Sequence, residues 1–541
     1  MRACALIAAF LFAGAAMAAA PVLDDRTLCR DDTQTPDARI NGCSRALRSG
    51  ELASPVRAAL TYNRGLMYLL RGDEGRALKD FTIALRMRPD FPDALVNRGS
   101  LYHARGDMDR ALTDFDRALA LEPGHAGALN NRGLARQDAG DLAGAVADFD
   151  AAIRAHPDDP VGYKNRGNAQ RQRGALRDAV ADFTAAIERR ADYGEAYNNR
   201  GIAHHDLRAF DRAVTDFHRA LELDPSDPVV LNNRGNSRRA IGDLDRAIDD
   251  FSAAIKQRPD FAAAYNNRAN ALREKGLLKP ALADYDRALQ LKPDYAVAYD
   301  NRGITYYRLD RHALALADYD RAIALKPEFA DAYNNRGLVH RAAGRLEIAL
   351  ADYDKAIALA PADPIAHGNR AGLHLRTGDI DRAIADLSVA IAGQPDNPSW
   401  WHNRGQALLA SGRAKDAISD FDRALALQPG HLSARYARGN AHRALGDNEM
   451  AAADYSAVIA AKPGHAGALY NRAIARARLG DGDGAAADME AALAANPKAA
   501  KRFRGRLAIH GYLAKGAAAD DTDALRAGVR AWIAAGAPSL H

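Results

Sequence analysis

The chain is poor in the residues from which most metal and catalytic centres are built. It has three cysteines in 541 residues, and the two that follow the N-terminal apolar stretch, Cys29 and Cys43, have no neighbouring histidines and are poor zinc ligands. No glycine-rich phosphate loop, nucleophile–base spacing or paired-carboxylate signature stands out. Nor does charge of one sign predominate: the formal net charge is only +5, and a phosphate-binding groove needs clustered basic residues rather than a slight excess spread along the chain. Nucleic acid is therefore not an expected partner. With 48% apolar and 26% charged residues, the composition supports a continuous core and suggests neither disorder nor membrane spans.

What the sequence has instead is a period. The stretch from Ala330 to Asp363 recurs every 34 residues without insertion or deletion from Ala58 to Pro497. Asparagine marks the register at Asn63, Asn97, Asn131, Asn165, Asn199, Asn233, Asn267, Asn301, Asn335, Asn369, Asn403 and Asn471, with Ala437 the exception. This makes thirteen repeats, the first beginning at Ala58 and the last at Ala466.

Each repeat reads as two helices. In repeat 9, Tyr333, Arg336, Gly337 and His340 fall at helical spacing, Gly344 breaks the run, and Ala349, Tyr353 and Ala356 share one face of a second helix. Pro361 stops that helix, since proline lacks the amide hydrogen and disfavours helical geometry in the residue before it. Small Gly337, Ala349 and Ala356 allow two helix axes to approach closely, with Tyr333 and Tyr353 filling the gaps beside them. A lone hairpin cannot bury both faces, so hairpins are expected to stack as a solenoid.

The pattern resembles the tetratricopeptide repeat. Repeat 2 carries it as Leu95, Gly99, Tyr102, Gly106, Ala111, Phe115, Ala118 and Pro123, and Trp401 supplies a signature tryptophan in repeat 11. One departure is that Arg, not an apolar residue, precedes the glycine position in all thirteen repeats. The resemblance implies an all-α, right-handed α-solenoid superhelix of about thirteen hairpins with terminal capping helices. On that reading residues 1–18 are a signal peptide, 19–57 an N-terminal capping half-repeat, 58–499 the repeats, and 500–541 C-terminal capping helices.

At the N-terminus, Arg2, an apolar run and Ala16-Met17-Ala18 form a secretory pattern with expected cleavage near Ala18, the alternative being an uncleaved anchor. Export places Cys29 and Cys43 in an oxidising compartment, where a disulfide is expected; a packed core cysteine at Cys43 is the other reading. At the C-terminus, Ala499 to Leu513 and Asp521 to Ala535 read as helices, the latter with Leu525, Val529, Trp532 and Ile533 on one face. A lid over the end of the solenoid and a partner-docking segment are its two readings. The cluster Lys498, Lys501, Arg502, Arg504 and Arg506 reads as a solvated face.

Arg at the seventh and Asp at the twenty-third position of every repeat, as in Arg302 with Asp318 and Arg336 with Asp352, suggest structural ion pairs between facing helices. The asparagine before that Arg is harder to assign to packing, because a side-chain amide must satisfy both donors and acceptors. By resemblance this position lines the concave surface, where Asn131, Asn165, Asn199, Asn233, Asn267, Asn301, Asn335, Asn369 and Asn403 would hold the backbone of an extended peptide. The alternative is a local hydrogen bond to a neighbouring helix end. Asn198, Asn232, Asn236, Asn266, Asn270, Asn334 and Asn440 are expected on the same face. Lys164 and Asn168, followed by Asn199, resemble part of the family's carboxylate clamp, but Val229 and Asn233 stand where its remaining basic residues belong. His204, His205, His340, His374, His402 and His442 read as packing residues, with a metal site considered only where His340 and His374 sit in adjacent repeats.

These features lead to an expected non-enzymatic scaffold, with no cofactor and no metal, that binds a protein or peptide along its concave face in the periplasm. No membrane-spanning segment is expected after signal cleavage. Two other readings are an accessory part of an envelope export or assembly machine for polysaccharide or protein, and the regulatory part of an enzyme complex such as a glycosyltransferase. The residues after the last repeat are too few for a catalytic domain.

Overall fold

The computed structural model describes residues 24–49, 52–496, 503, 505–513 and 522–535. The signal-peptide stretch and Lys498, Lys501, Arg502 and Arg504 lie outside them. Among the described residues every regular element is a helix.

Each repeat is a hairpin, with first and second helices at Ala330–Ala342 and Leu346–Leu359 in repeat 9. Local chemistry sets the boundaries. Where an Asp or Asn precedes proline, as at Asp159, Asp227, Asp363 and Asn397, its side chain accepts the first free amides of the first helix while the proline occupies the first turn. The hairpin turn places glycine in the left-handed region, Gly344 at φ +75°, and Arg208 (φ 60°) and Asp310 (φ 56°) take that conformation in repeats 5 and 8. An aspartate right after the turn, for example Asp107 or Asp379, caps the second helix.

Packing within the hairpin depends on the absence of a side chain at the eighth position. A Cβ on Gly337 would sit 2.8 Å from Cε1 of Tyr353, and one on Gly303 would sit 2.6 Å from that atom of Tyr319. Ala269, Ala371 and Ala473 replace this glycine in repeats 7, 10 and 13; repeat 7 keeps its ring residue, Tyr285, whereas in repeats 10 and 13 Leu387 and Met489 replace the ring. In those two repeats the smaller side chain across the interface makes room for the extra methyl.

The helices form two units, Met1–Asp284 and Tyr285–His541, with the boundary inside helix Leu278–Leu291. The first unit begins with helices Asp25–Arg30 and Pro36–Arg48, joined by the Cys29–Cys43 disulfide and packed through Cys29, Cys43 and Ala46 on Leu60 of repeat 1. This cap is a short hairpin, and Asp24, which accepts from the amides of Arg26 and Thr27, caps its first helix. In the second unit, Val529, Trp532 and Ile533 of helix Thr522–Ala534 pack on Met489 and Leu493 of repeat 13, and Trp532 meets Phe503 edge-on with ring centroids 5.4 Å apart. The helix expected through Leu513 turns at His510, where Gly511 adopts φ +79°.

Candidate functional site

The first helix of each repeat carries the candidate site, and the seventh-position arginine positions it. In all thirteen repeats that guanidinium donates through Nε and Nη2 to both oxygens of the twenty-third-position aspartate on the second helix. For Arg302 and Asp318 both contacts are within 2.8 Å, and the aspartate side chain is 7% exposed. Such a bidentate, charge-assisted pair fixes the rotation of one helix against the other.

The remaining nitrogen, Nη1, reaches the preceding repeat. From repeat 3 onward it meets the twenty-fifth position of the previous second helix, as in Arg132 to Asp116 (2.7 Å), Arg200 to Thr184 (3.0 Å), Arg336 to Asp320 (2.7 Å) and Arg472 to Ser456 (3.0 Å). One guanidinium thus joins three helices. This contact is not evident from the pairing of Arg with Asp; its trace in the sequence is the polar residue two positions after that aspartate, in motifs such as Asp318-Tyr319-Asp320.

The asparagines form a second ladder, and it turns sideways. Asn131, Asn199, Asn233, Asn267, Asn335 and Asn369 donate Nδ2–H to side chains on the preceding first helix: Ser100, Asn168, Asn198, Asn232, Asp300 and Asn334, at 2.9–3.1 Å. The Nδ2–H groups expected to hold a peptide backbone are thus already bonded within the chain at these six positions. The arrangement also differs from the alternative, because the acceptors are mid-helix side chains rather than helix ends. The reason is proximity: adjacent first helices place the fifth and ninth positions of one repeat beside the sixth of the next. Asn199 and Asn267 also accept, from Asn198 and Asn266. The ladder leaves Oδ1 of half-buried Asn131, Asn233, Asn335 and Asn369 as acceptors.

Other members vary. Asn301 is half-buried. Asn403 meets no such acceptor, because Gly368 and Gly372 stand at the receiving positions. Asn165 is 2% exposed and its Nδ2 has no partner. Asn232, Asn266, Asn270 and Asn334, expected on the open face, are buried.

The partial clamp is occupied from within. Lys164, 8% exposed, donates Nζ to both carboxylate oxygens of Glu195 at 3.2 and 3.4 Å, and Asn168 accepts from Asn199. Val229 is 41% exposed but offers no charge. These residues do not converge as a free carboxylate site.

The histidines serve individual repeats. His204, His340 and His374 place Nε2 at 3.8, 4.0 and 3.9 Å from Asp216, Asp352 and Asp386. Burial pushes the imidazoles of His204 and His340 below the ordinary range. His205 accepts or donates at Ser237 (2.8 Å), His442 pairs with Asp447 at 3.1 Å, and the His402 ring lies tilted against that of His431, with centroids 4.9 Å apart. Burial, reinforced by His431, pushes His402 down to about 4. Sequence reading did not identify His367, whose Nδ1 lies 2.8 Å from Asp386 and whose Nε2 lies 3.0 Å from the Pro361 carbonyl. Among the described residues no three His, Cys, Asp or Glu side chains are grouped to hold a metal.

With the geometry established, comparison defines the family. Tetratricopeptide-repeat models match residues 72–120, 98–162, 194–227, 232–296, 301–364, 336–398, 369–431, 402–466 and 436–500. The chain belongs to the tetratricopeptide-repeat family. It is an α-solenoid of helical hairpins and, at the level of the family, a protein-interaction scaffold for protein or peptide partners. No curated protein matches the sequence.

Among solved structures, similarity extends to a tetratricopeptide repeat protein from Parabacteroides merdae ATCC 43184, at 22% identity over 46% of this chain and 98% of that one, with a TM-score of 0.38. The APC/C hetero-tetramer Cut9–Hcn1 matches at 15% identity over 82% and 96%, with a TM-score of 0.44. YrrB, described as a TPR protein with an unusual peptide-binding site, matches at 26% identity over 35% and 97%, with a TM-score of 0.29. No helix among the described residues is long and apolar enough to cross a membrane.

Proposed function

We propose that the first-helix face binds an extended polypeptide through its backbone, and that the chain works as a non-enzymatic scaffold in the periplasm. The observation carrying this reading is the ladder asparagines whose Oδ1 atoms are left over once their N–H groups have bonded sideways, Asn131 and Asn233 in the first unit and Asn335 and Asn369 in the second. A hydrogen-bond acceptor repeated at one register suits backbone N–H groups, and such recognition needs little from the ligand's side chains. The Cys29–Cys43 disulfide supports an oxidising compartment, and with it a second reading, an accessory part of an envelope export assembly.

Site-specific photo-crosslinking tests the proposal. A photoreactive residue replacing Asn236 on the first-helix face is expected to capture polypeptide from exported-fraction extract. The same residue replacing Arg246, whose side chain is 73% exposed on a second helix, should capture little. Adducts from position 246 alone would reject the face, and adducts shared with export components would favour the second reading.

A further inference from the structure

The first helices of the two units differ in charge at one register. In the first unit a cation at the twelfth position of one repeat meets a carboxylate at the thirteenth position of the next: His103 with Asp138 at 2.9 Å, Arg171 with Asp206 at 3.3 Å and Arg239 with Glu274 at 2.5 Å. In the second unit arginine fills both positions of the pair, Arg341 with Arg376 between repeats 9 and 10 and Arg443 with Arg478 between repeats 12 and 13. The first helices of repeats 10 to 13, Pro364–Thr377, Pro398–Ala410, Leu432–Ala444 and Ala466–Arg478, contain neither Asp nor Glu.

None of these four arginines forms an ion pair among the described residues. Nη1 of Arg341 lies over Gly372 of the following first helix, where an added Cβ would stand 3.0 Å from it, and it donates to the Asn369 carbonyl at 3.5 Å, the limit of hydrogen-bond range. Nη1 of Arg376 meets the Arg341 carbonyl, also at 3.5 Å. Arg443 has the Tyr455 hydroxyl beside it, and Arg376 and Arg478 are exposed. Like charges at neighbouring positions repel, whereas a carboxylate set between them is attracted to both. Between the two pairs the same register holds Leu375 with Ala410 and Leu409 with Ala444, an apolar interval.

We propose that the first helices of repeats 9 to 13 take an acidic polypeptide segment, with carboxylates at Arg341 and Arg376 and again at Arg443 and Arg478, and apolar side chains between. This rests on the reading of the first-helix face as a polypeptide site. Packed neighbouring helices lie about 8–10 Å apart, so pairs three repeats apart are separated by about 24–30 Å, which about seven to nine residues of extended chain cover at about 3.3 Å each. A nucleic acid presents a charge at every phosphate, while this register has its spare cations only at its two ends.

Fluorescence anisotropy with the full chain tests this. The probe is a labelled synthetic peptide with glutamates at both ends of an alternating leucine and serine stretch of about seven residues, compared with the same peptide carrying glutamines. The acidic peptide is expected to bind about tenfold tighter or more, by a margin that narrows as salt is raised. Arg376→Asp and Arg478→Asp copy the ion pair of the first unit, so each should weaken the acidic peptide by about tenfold while the melting temperature holds or rises. Arg246→Asp, the same charge change on a second helix, should leave binding unchanged. Equal affinity for the two peptides, or an unaltered affinity in the Arg376→Asp, Arg478→Asp double variant, would overturn the acidic preference and leave the backbone-binding face standing. Binding of neither peptide would overturn it as well, with photo-crosslinking from position 236 judging that face separately. So would a single-stranded thymidine oligonucleotide that displaces the acidic peptide and binds more tightly.

Discussion

Substituting Arg336 by Ala removes three contacts of very different worth. Two go to Asp352, at 3.1 and 2.6 Å, in a pair whose side chains are 22% and 5% exposed; the third goes to Asp320, at 2.7 Å, whose side chain is 60% exposed. Stranding a buried carboxylate costs about 3–5 kcal/mol, and the partial exposure of Arg336, which lets water reach Asp352, reduces this to about 2–4 kcal/mol. Asp320→Ala loses only the exposed contact, worth about 0–1 kcal/mol. Replacing both buried partners, with Arg336→Met and Asp352→Leu, should return stability to within about 1 kcal/mol of the parent, because no unpaired charge remains. Equilibrium urea unfolding measures the totals, and native-state hydrogen exchange places the loss, expected in repeat 9 and its neighbours. Equal small costs for Arg336→Ala and Asp320→Ala, or a double variant as unstable as the single one, would refute the assignment of the stability to the buried pair.

Asn233→Ala with Asn267→Ala deletes two bonds between repeats and should lower stability by about 1–3 kcal/mol in urea melts, whereas Asn236→Ala should leave the melt unchanged and weaken capture of the partner. His402 titrates at about 4 in the folded chain, below the ordinary 6.5, so its contribution is fully present above pH 6.5 and is lost as pH falls toward 4, up to about 3 kcal/mol. His402→Tyr, the residue that repeat 12 has as Tyr436, should flatten that dependence when melts at pH 7 and pH 4.5 are compared. Arg208→Gly should raise stability by about 0.5–1 kcal/mol, since relief of about 1–2 kcal/mol from the left-handed backbone exceeds the added freedom of the unfolded chain; a lower melting temperature would contradict this. Replacing Cys29 and Cys43 by Ala should cost about 3 kcal/mol on the chain-entropy account, with exchange protection lost in the N-terminal cap and little changed in later repeats.

The parts of this architecture legible in the sequence are those determined over short range. Helix boundaries follow from residues such as Gly344, Asp363 and Pro361, which act on their own turn of chain. Close hairpin contact follows from Gly337 because one missing side chain permits it. The direction in which Asn233 turns its amide depends on Asn198, a repeat earlier and on another helix, and no local rule contains that distance. Lys164 likewise reads as a surface cation until Glu195 and the adjoining seam enclose it. Resemblance identified the face of the first helix, but only neighbouring side chains decide which hydrogen bonds that face has left to offer.

Both ladders reach backward along the chain. The arginine Nη1 and the asparagine Nδ2 each donate to the repeat made before their own, as Arg336 does to Asp320 and Asn335 to Asp300. Since a polypeptide emerges N-terminus first, every newly completed hairpin brings donors to a neighbour whose acceptors already stand in place. No hairpin must wait for a later one to supply these links, and stacking can proceed one repeat at a time in the order of synthesis.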